Sequence, residues 1–225
     1  MSIDLRYKDI VNNMNDYWFH IIGCGAIGSS AAMQLARMNA SHFSLYDPDI
    51  VEEHNIGIQQ YNYDDVDEPK VDALKKHILS INKKAVVNVH QGKLNEWYAQ
   101  RGGEKEIAVL GVDSMSARLD CLKVLMMYRK EKVFPELLID GRMGSEHYQQ
   151  YSFISPTIRN YMKTWYDDDQ GDPEPCSARG TSYCGNMSGS FIVNAIRKYL
   201  TKQPMETEIS FNFPTMTLAK KVKYS

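Results

Sequence analysis

The chain has few cysteines, and no two of them stand as a CxxC pair: Cys24, Cys121, Cys176 and Cys184 are scattered. Long apolar runs are also missing. No stretch approaches the roughly 18 apolar residues of a membrane span, and the start MSIDLRYKDIVNNMNDYW has no apolar centre of the kind a secretory signal carries. The expected setting is therefore the cytoplasm, with the thiols reduced. Charge of one sign is not in excess. A formal net charge of −2 supplies no overall field for nucleic acid or anionic lipid, so neither is expected as a primary partner. Repeats are absent, and the only biased tract is the acidic run Asp167 to Asp169.

What is present is ordinary globular material. With 225 residues, 43% hydrophobic, 24% charged and 11% aromatic, the chain is long enough for one large α/β domain burying roughly 70% of its unfolded surface. Two full domains would be cramped. Apolar runs of strand length alternate with segments of helical period, the pattern of a mostly parallel sheet flanked by helices. WFHII, HFSLYD, AVVNVH, EIAVLGVD and ELLIDGRMG read as strands. Helices are expected over 27–38, over 68–82 with Pro69 in the first turn, over 115–130, over 187–200, and weakly over 94–101. From about residue 145 the pattern changes. HYQQYSFISP alternates like an antiparallel strand, 164–185 reads as a mobile loop rich in turn formers and acids, and the tail offers two strands joined near Pro214. The expected organisation is one domain over 1–225, with a nucleotide-binding half at 17–144 and a crossover loop, helix and C-terminal strands at 145–225.

FHIIGCGAIGSS, residues 19–30, runs a strand into Gly23, Cys24, Gly25, Ala26, Ile27 and Gly28, a G-x-G-x-x-G turn that opens a helix. Glycine is wanted where the chain turns tightly and where backbone must approach a phosphate, and a helix N-terminus supplies free N–H groups. By itself the motif serves NAD, FAD, S-adenosylmethionine and ATP alike. Asp47, after the second strand, fills the place of the acid that accepts ribose hydroxyls. Thus far an NAD- or FAD-linked oxidoreductase explains everything.

The following segment separates the choices. Asp47, Asp49 and Val51 form D-x-D-x-V, Asn55, Ile56 and Gln59 stand where N-L-x-R-Q is expected, and Lys70 and Val71 close a G-x-x-K-V ahead of a helix. LGVDSMSARLD then resembles a D-x-x-D-N-x-x-x-R element, with Asp113 in the acidic place and Arg118 following. On these residues the sequence resembles the ThiF/MoeB/HesA family, related to ubiquitin activation, over residues 17–221. The resemblance implies a Rossmann-like fold with a C-terminal antiparallel extension. It implies an adenylyltransferase using ATP and Mg²⁺, a small ubiquitin-like or sulfur-carrier partner ending in glycine, and a homodimer. Nucleotide contacts fall to Gly23, Gly25, Ala26, Ile27, Gly28, Asp47, Asp49, Asn55, Gln59, Lys70 and Asp113, with Asp113 also the Mg²⁺ ligand. Catalytic roles fall to Lys70, Asp113, Asn55, Arg118 and Cys184.

The chemistry is consistent with that assignment. Carboxylate attack on an α-phosphate gathers negative charge, which positioned cations and a metal stabilise. Lys70 is a point charge for phosphate, and Asp113 a hard oxygen for a hard cation; a dehydrogenase needs neither. Cys184 resembles a loop cysteine used for covalent transfer, with a helix N-terminus expected to lower its pKa. Cys176 is a weaker candidate, and Cys24 and Cys121 read as packing residues. The acids from Asp167 to Glu174 read as a solvated loop or as a crossover loop over the partner's C-terminus. The stripe of Leu119 and Val124 to Met127 reads as core or dimer interface.

Departures matter as much. Ile58 stands in the arginine place, and Asp67 in the place of the glycine. Arg118, Arg142 and Arg6 are candidates to supply the missing charge. Many relatives hold structural zinc with two CxxC pairs, so no structural zinc is expected. Within the same fold, a scaffold that binds ATP without catalysis and a dehydratase acting on a modified tRNA base remain alternatives. His54 is unexplained.

Overall fold

Strands buried on both faces read as continuous apolar runs rather than alternations, which is why WFHII and EIAVL show no period. In the computed structural model, which describes residues 6–97, 105–168 and 180–223, β1 (Trp18–Ile22) and β4 (Glu106–Leu110) are buried at every position. They lie in the middle of a sheet whose parallel part has the order β3 (Val86–Gln91), β2 (His42–Asp47), β1, β4, β5 (Leu137–Gly144). The chain passes from β1 to β2 on one side and returns to β4 on the other. The sequence order thus reverses between β1 and β4, and their carboxyl ends form the crevice where open α/β sheets bind ligands.

Helices cover both faces. One core joins residues of α1 (Ala26–Arg37), α2 (Lys70–Ile81) and α5 (Ser182–Leu200), and the other joins residues of α3 (Met115–Leu125) with Trp97 and Tyr161 of α4 (Ile158–Tyr161). The contact of α1 with α5 is close enough that a Cβ at Gly189 would overlap the Ser30 hydroxyl. Beyond β5 the sheet turns antiparallel through β6 (His147–Ile154), β7 (Met205–Asn212) and β8 (Thr217–Lys223), giving eight strands among the described residues. Burial alternates along the first six residues of β6, as the sequence predicts. The fold is the expected Rossmann-like α/β sheet with an antiparallel extension. Among the described residues no helix is long and apolar enough to cross a membrane.

Several boundaries move. Helix α5 begins at Ser182, not 187, because its polar, glycine-containing first turns carry no apolar period. Helix α3 ends at Leu125 rather than running to 130, and a short 3₁₀ turn over Arg129–Glu131 follows it. The segment expected as a loop over 164–185 is anchored at Thr164, Trp165 and Asp168 by hydrogen bonds, while 169–179, including Asp169, Asp172, Glu174 and Cys176, lie outside the described residues. Residues 94–97 are irregular, and the rest of the weak helix expected there also lies outside them.

One departure from the family pattern has a backbone explanation. Asp67 adopts φ 68°, in the left-handed region, while its N–H donates to the Val51 carbonyl at 2.9 Å. Glycine occupies that conformation without strain, and aspartate is among the few L-residues that tolerate it. Because Asp67 is exposed, Asp67→Gly should stabilise the fold by about 0.5–1 kcal/mol and Asp67→Val should destabilise it by about 1–2 kcal/mol, as read by chemical denaturation.

Candidate nucleotide site

The three glycines of the turn do three different things. Gly23 has φ +88°, and a Cβ there would lie 2.7 Å from the Gly111 carbonyl carbon, so the loop passes between β1 and β4 only without a side chain. A Cβ at Gly28 would overlap the Gly23 carbonyl oxygen, which seats α1 against the end of β1. At Gly25 nothing lies within 4 Å of a Cβ. That residue is the N-cap of α1 and offers no side-chain cap, so the first N–H groups of the helix are left for an anion.

Asp47 ties this loop to the next segment. Its carboxylate accepts from the Cys24 N–H at 2.6 Å and from the Asp49 N–H at 2.9 Å. Burial pushes the Asp47 carboxyl above its usual range, and those two N–H groups and Lys70 act in the opposite direction. The backbones of Ile50 and Pro69 bridge, which brings Lys70 beside Asp49 across 21 residues of sequence. Lys70 is nearly buried at 9% exposure, and its Nζ donates to Asp49 Oδ2 at 2.9 Å, a carboxylate 63% exposed. Tyr61 closes the floor, its hydroxyl donating to the carbonyls of Cys24 at 2.7 Å and Lys70 at 3.3 Å. Asn55 is buried, and its Oδ1 accepts from the Glu52 N–H at 3.0 Å. Beside it, Gln59 Oε1 is buried with no partner among the described residues.

Asp113 follows β4 at its carboxyl end. Its side chain is exposed, without a hydrogen bond or ion pair among the described residues, and Ser114, not Asp113, caps α3 by accepting from the Ala117 N–H at 3.2 Å. Arg118 does not point to solvent. It is buried, paired with Asp140 Oδ1, and donates to the carbonyls of Val112 and, at 2.9 Å, Gly141. Asp140, fully buried, also takes Arg142 at 2.7 Å and the Tyr161 hydroxyl at 2.9 Å. The Arg142 guanidinium in turn donates to the Thr164 carbonyl at 2.7 Å and lies 4.5 Å from the centre of the Tyr151 ring.

A glycine turn aimed at a helix start, an acid–lysine pair beside it and an exposed aspartate across the switch point form one constellation, and it coincides with a sequence match. The model of the ThiF family matches residues 7–223. The chain belongs to the ThiF family. It is 30% identical over 141 residues to the NEDD8-activating enzyme E1 catalytic subunit of Schizosaccharomyces pombe, covering 61% of this chain and 31% of that one. Among solved structures, Escherichia coli MccB with ATP superposes with a TM-score of 0.71 at 15% identity, covering 95% of this chain and 65% of MccB. MccB in complex with N-formylated MccA gives 0.74 at 15%, covering 98% and 69%, and PaaA gives 0.71 at 18%, covering 94% and 66%. This ThiF-family chain thus spans about a third of the curated relative and about two thirds of the structural ones.

Its departures from the ThiF pattern are then physical. Ile58 lies under the start of α5: a Cβ at Gly185 would sit 2.9 Å from the Ile58 carbonyl oxygen and 3.4 Å from Ala26 Cβ, and one at Gly180 would sit 4.0 Å from Ile58 Cδ1. The backbone of Ile58 and Ala26 at the start of α1 thus both lie close against the first turn of α5. Arg118 and Arg142 are both engaged with Asp140, and Arg6 has no resolved role. Cys184 stands in the first turn of α5 and is buried. Burial first, then Glu146, pushes its thiol up to about 11, the opposite of the expected lowering by a helix N-terminus. At neutral pH the protonated thiol, a poor nucleophile, therefore predominates.

Sequence reasoning missed Asp140, Tyr61, Ser114, Trp165 and Asp168. A capping rule could have found Ser114, a serine directly before an apolar helix. The others act across long sequence separations and leave no local signal. The three glycine environments separate folding from binding. Gly28→Ala should cost several kcal/mol or abolish folding, whereas Gly25→Ala should leave the melting temperature within about 2 °C and weaken nucleotide binding about tenfold or more in a calorimetric titration.

Proposed function

We propose that the chain catalyses ATP-dependent adenylation of a C-terminal carboxylate on a small ubiquitin-like or sulfur-carrier protein. The observation that carries this reading is the convergence of Gly25 at the uncapped start of α1, the Asp49–Lys70 pair and the exposed Asp113 carboxylate around one crevice. A relative named for NEDD8 activation and a neighbour solved both with ATP and with MccA support it, as does the family assignment.

In this reading Asp47 accepts the ribose hydroxyls, the α1 N-terminus and Lys70 receive phosphate oxygens, and Gln59 Oε1 gains the donor it lacks. Among the described residues no three His, Cys, Asp or Glu side chains converge as a metal site, and a single carboxylate fits Mg²⁺, which keeps waters and substrate phosphates as its other ligands. Asp113 would hold the ion, whose chemistry is to neutralise charge on the phosphates. The partner's carboxylate oxygen attacks the α-phosphorus, the bond to the bridging oxygen breaks, and pyrophosphate leaves with the electron pair. The product is a carboxyl–adenylate mixed anhydride. Nothing in this step needs Cys184, in keeping with its raised pKa. The reading includes a homodimer in the cytoplasm, and Met127 and Tyr128, exposed at 60% and 46% beyond the end of α3, suit an interface.

Ile58 favours one second reading, an ATP-binding scaffold without catalysis, since a lost charge-assisted donor costs about a hundredfold in rate. ATP–pyrophosphate exchange decides between them. With small proteins ending in Gly-Gly, wild type should exchange, and Lys70→Ala and Asp113→Ala should each lower the rate about a hundredfold or more. Exchange that survives Asp113→Ala would remove Asp113 from the mechanism. ATP binding with no exchange, whatever protein is added, would establish the scaffold.

A further inference from the structure

The turn that carries Asp113 is held from both sides by groups outside it. A helix start leaves N–H groups in need of acceptors, and in α3 the third is taken locally by Ser114 at 3.2 Å. The first two are taken from far along the chain. Asp168 accepts from the Met115 N–H at 2.5 Å and from the Ser116 N–H at 3.1 Å, across 53 and 52 residues. Trp165 Nε1 donates to the Met115 carbonyl at 3.2 Å, so Met115 is fixed at both its polar backbone groups. On the other flank Arg118, anchored to Asp140, donates to the Val112 carbonyl. Residues 112 and 115 are therefore clamped while the Asp113 carboxylate between them stays exposed.

Both Asp168 oxygens are used in this clamp, which gives the residue a holding role. The hydrogen bonds from Ser116 and Met115 keep its carboxyl below the usual range, so the clamp persists through neutral pH. A carboxylate on a free turn loses conformational entropy on taking a cation, and a clamped turn has lost it on folding. Thr164, in the same segment, is held by Arg142 through Asp140, so one buried carboxylate anchors both the turn and the segment that clamps it.

We propose that Asp168 is a positioning residue that fixes the Asp113 turn in the geometry that takes a divalent cation with a nucleotide. The inference rests on the adenylation reading for what Asp113 does; the clamp itself does not. Two readouts test it in the full chain: backbone amide exchange at Met115 and Ser116, and the Mg²⁺ concentration that gives half-maximal ATP binding. In Asp168→Ala, exchange at both amides should rise about tenfold, the Mg²⁺ requirement should rise about five- to tenfold, and ATP affinity without Mg²⁺ should stay within about twofold. Asp168→Asn, which keeps one acceptor oxygen, should fall between. Trp165→Phe, which keeps the packing and loses only the Met115 bond, should raise the Mg²⁺ requirement about two- to threefold and serves if Asp168→Ala does not fold. Unchanged exchange would show that the clamp is not there. Raised exchange with an unchanged Mg²⁺ requirement would make Asp168 a helix cap and nothing more. If wild type binds no ATP with Mg²⁺, the adenylation reading fails and the positioning role fails with it, while exchange still reports on the clamp.

Discussion

The carboxylate of Asp47 sits at 5% exposure between the glycine turn and the segment that brings in Lys70, and it accepts a backbone N–H from each. Without it the Cys24 N–H would be left buried and unpaired, at a cost of about 1–3 kcal/mol, and the tie of the turn to β2 would rest on the Tyr46 carbonyl, which accepts from the Gly23 N–H at 2.8 Å. The Gly23 carbonyl, over which Gly28 must pass, and the open cradle at Gly25 take their positions from that turn. On the other branch, Asp49 receives Lys70. One buried acid thus orders both the open turn at Gly25 and the lysine beside it, and burial and N–H donors pull its carboxyl in opposite directions.

Across the crevice a second buried acid plays the corresponding part. Asp140 holds Arg118, Arg142 and Tyr161, a cluster whose breakage by removal of one member would cost about 3–5 kcal/mol. Its effect is geometric as well as energetic, because Arg118 reaches the turn before Asp113 and Arg142 reaches the segment that caps α3. The arginines that the sequence offered as stand-ins for the one missing at Ile58 are thus the frame of the Asp113 side. The backbone carbonyl of Ile58 lies under the first turn of α5. Arg118 and Arg142 are therefore held by Asp140 and are not free guanidinium groups.

Much of this was legible in the sequence, for identifiable reasons. Doubly buried strands write themselves as WFHII and EIAVL, β6 writes its single buried face as an alternation, and the G-x-G-x-x-G turn marks the join of β1 to α1. What was not legible depends on partners far away. Cys184 looked like a loop thiol because polar residues and Gly185 hide the helix around it, and only its burial shows why its pKa rises. Arg118 looked available because its acceptor, Asp140, belongs to a different strand. Asp168 looked like one acid in a solvated run, since a cap lent across 53 residues has no local signature. Asp67 was visible as an oddity, and its positive φ supplies the reason that glycine is expected there.

If the proposed adenylation holds, this glycine turn takes ATP and not a nicotinamide dinucleotide. Calorimetric titration of the purified chain tests it most directly, with ATP and Mg²⁺ in one experiment and NADH in the other. Saturable heat is expected with ATP and none with NADH. Tight, saturable binding of NADH with no response to ATP would contradict it.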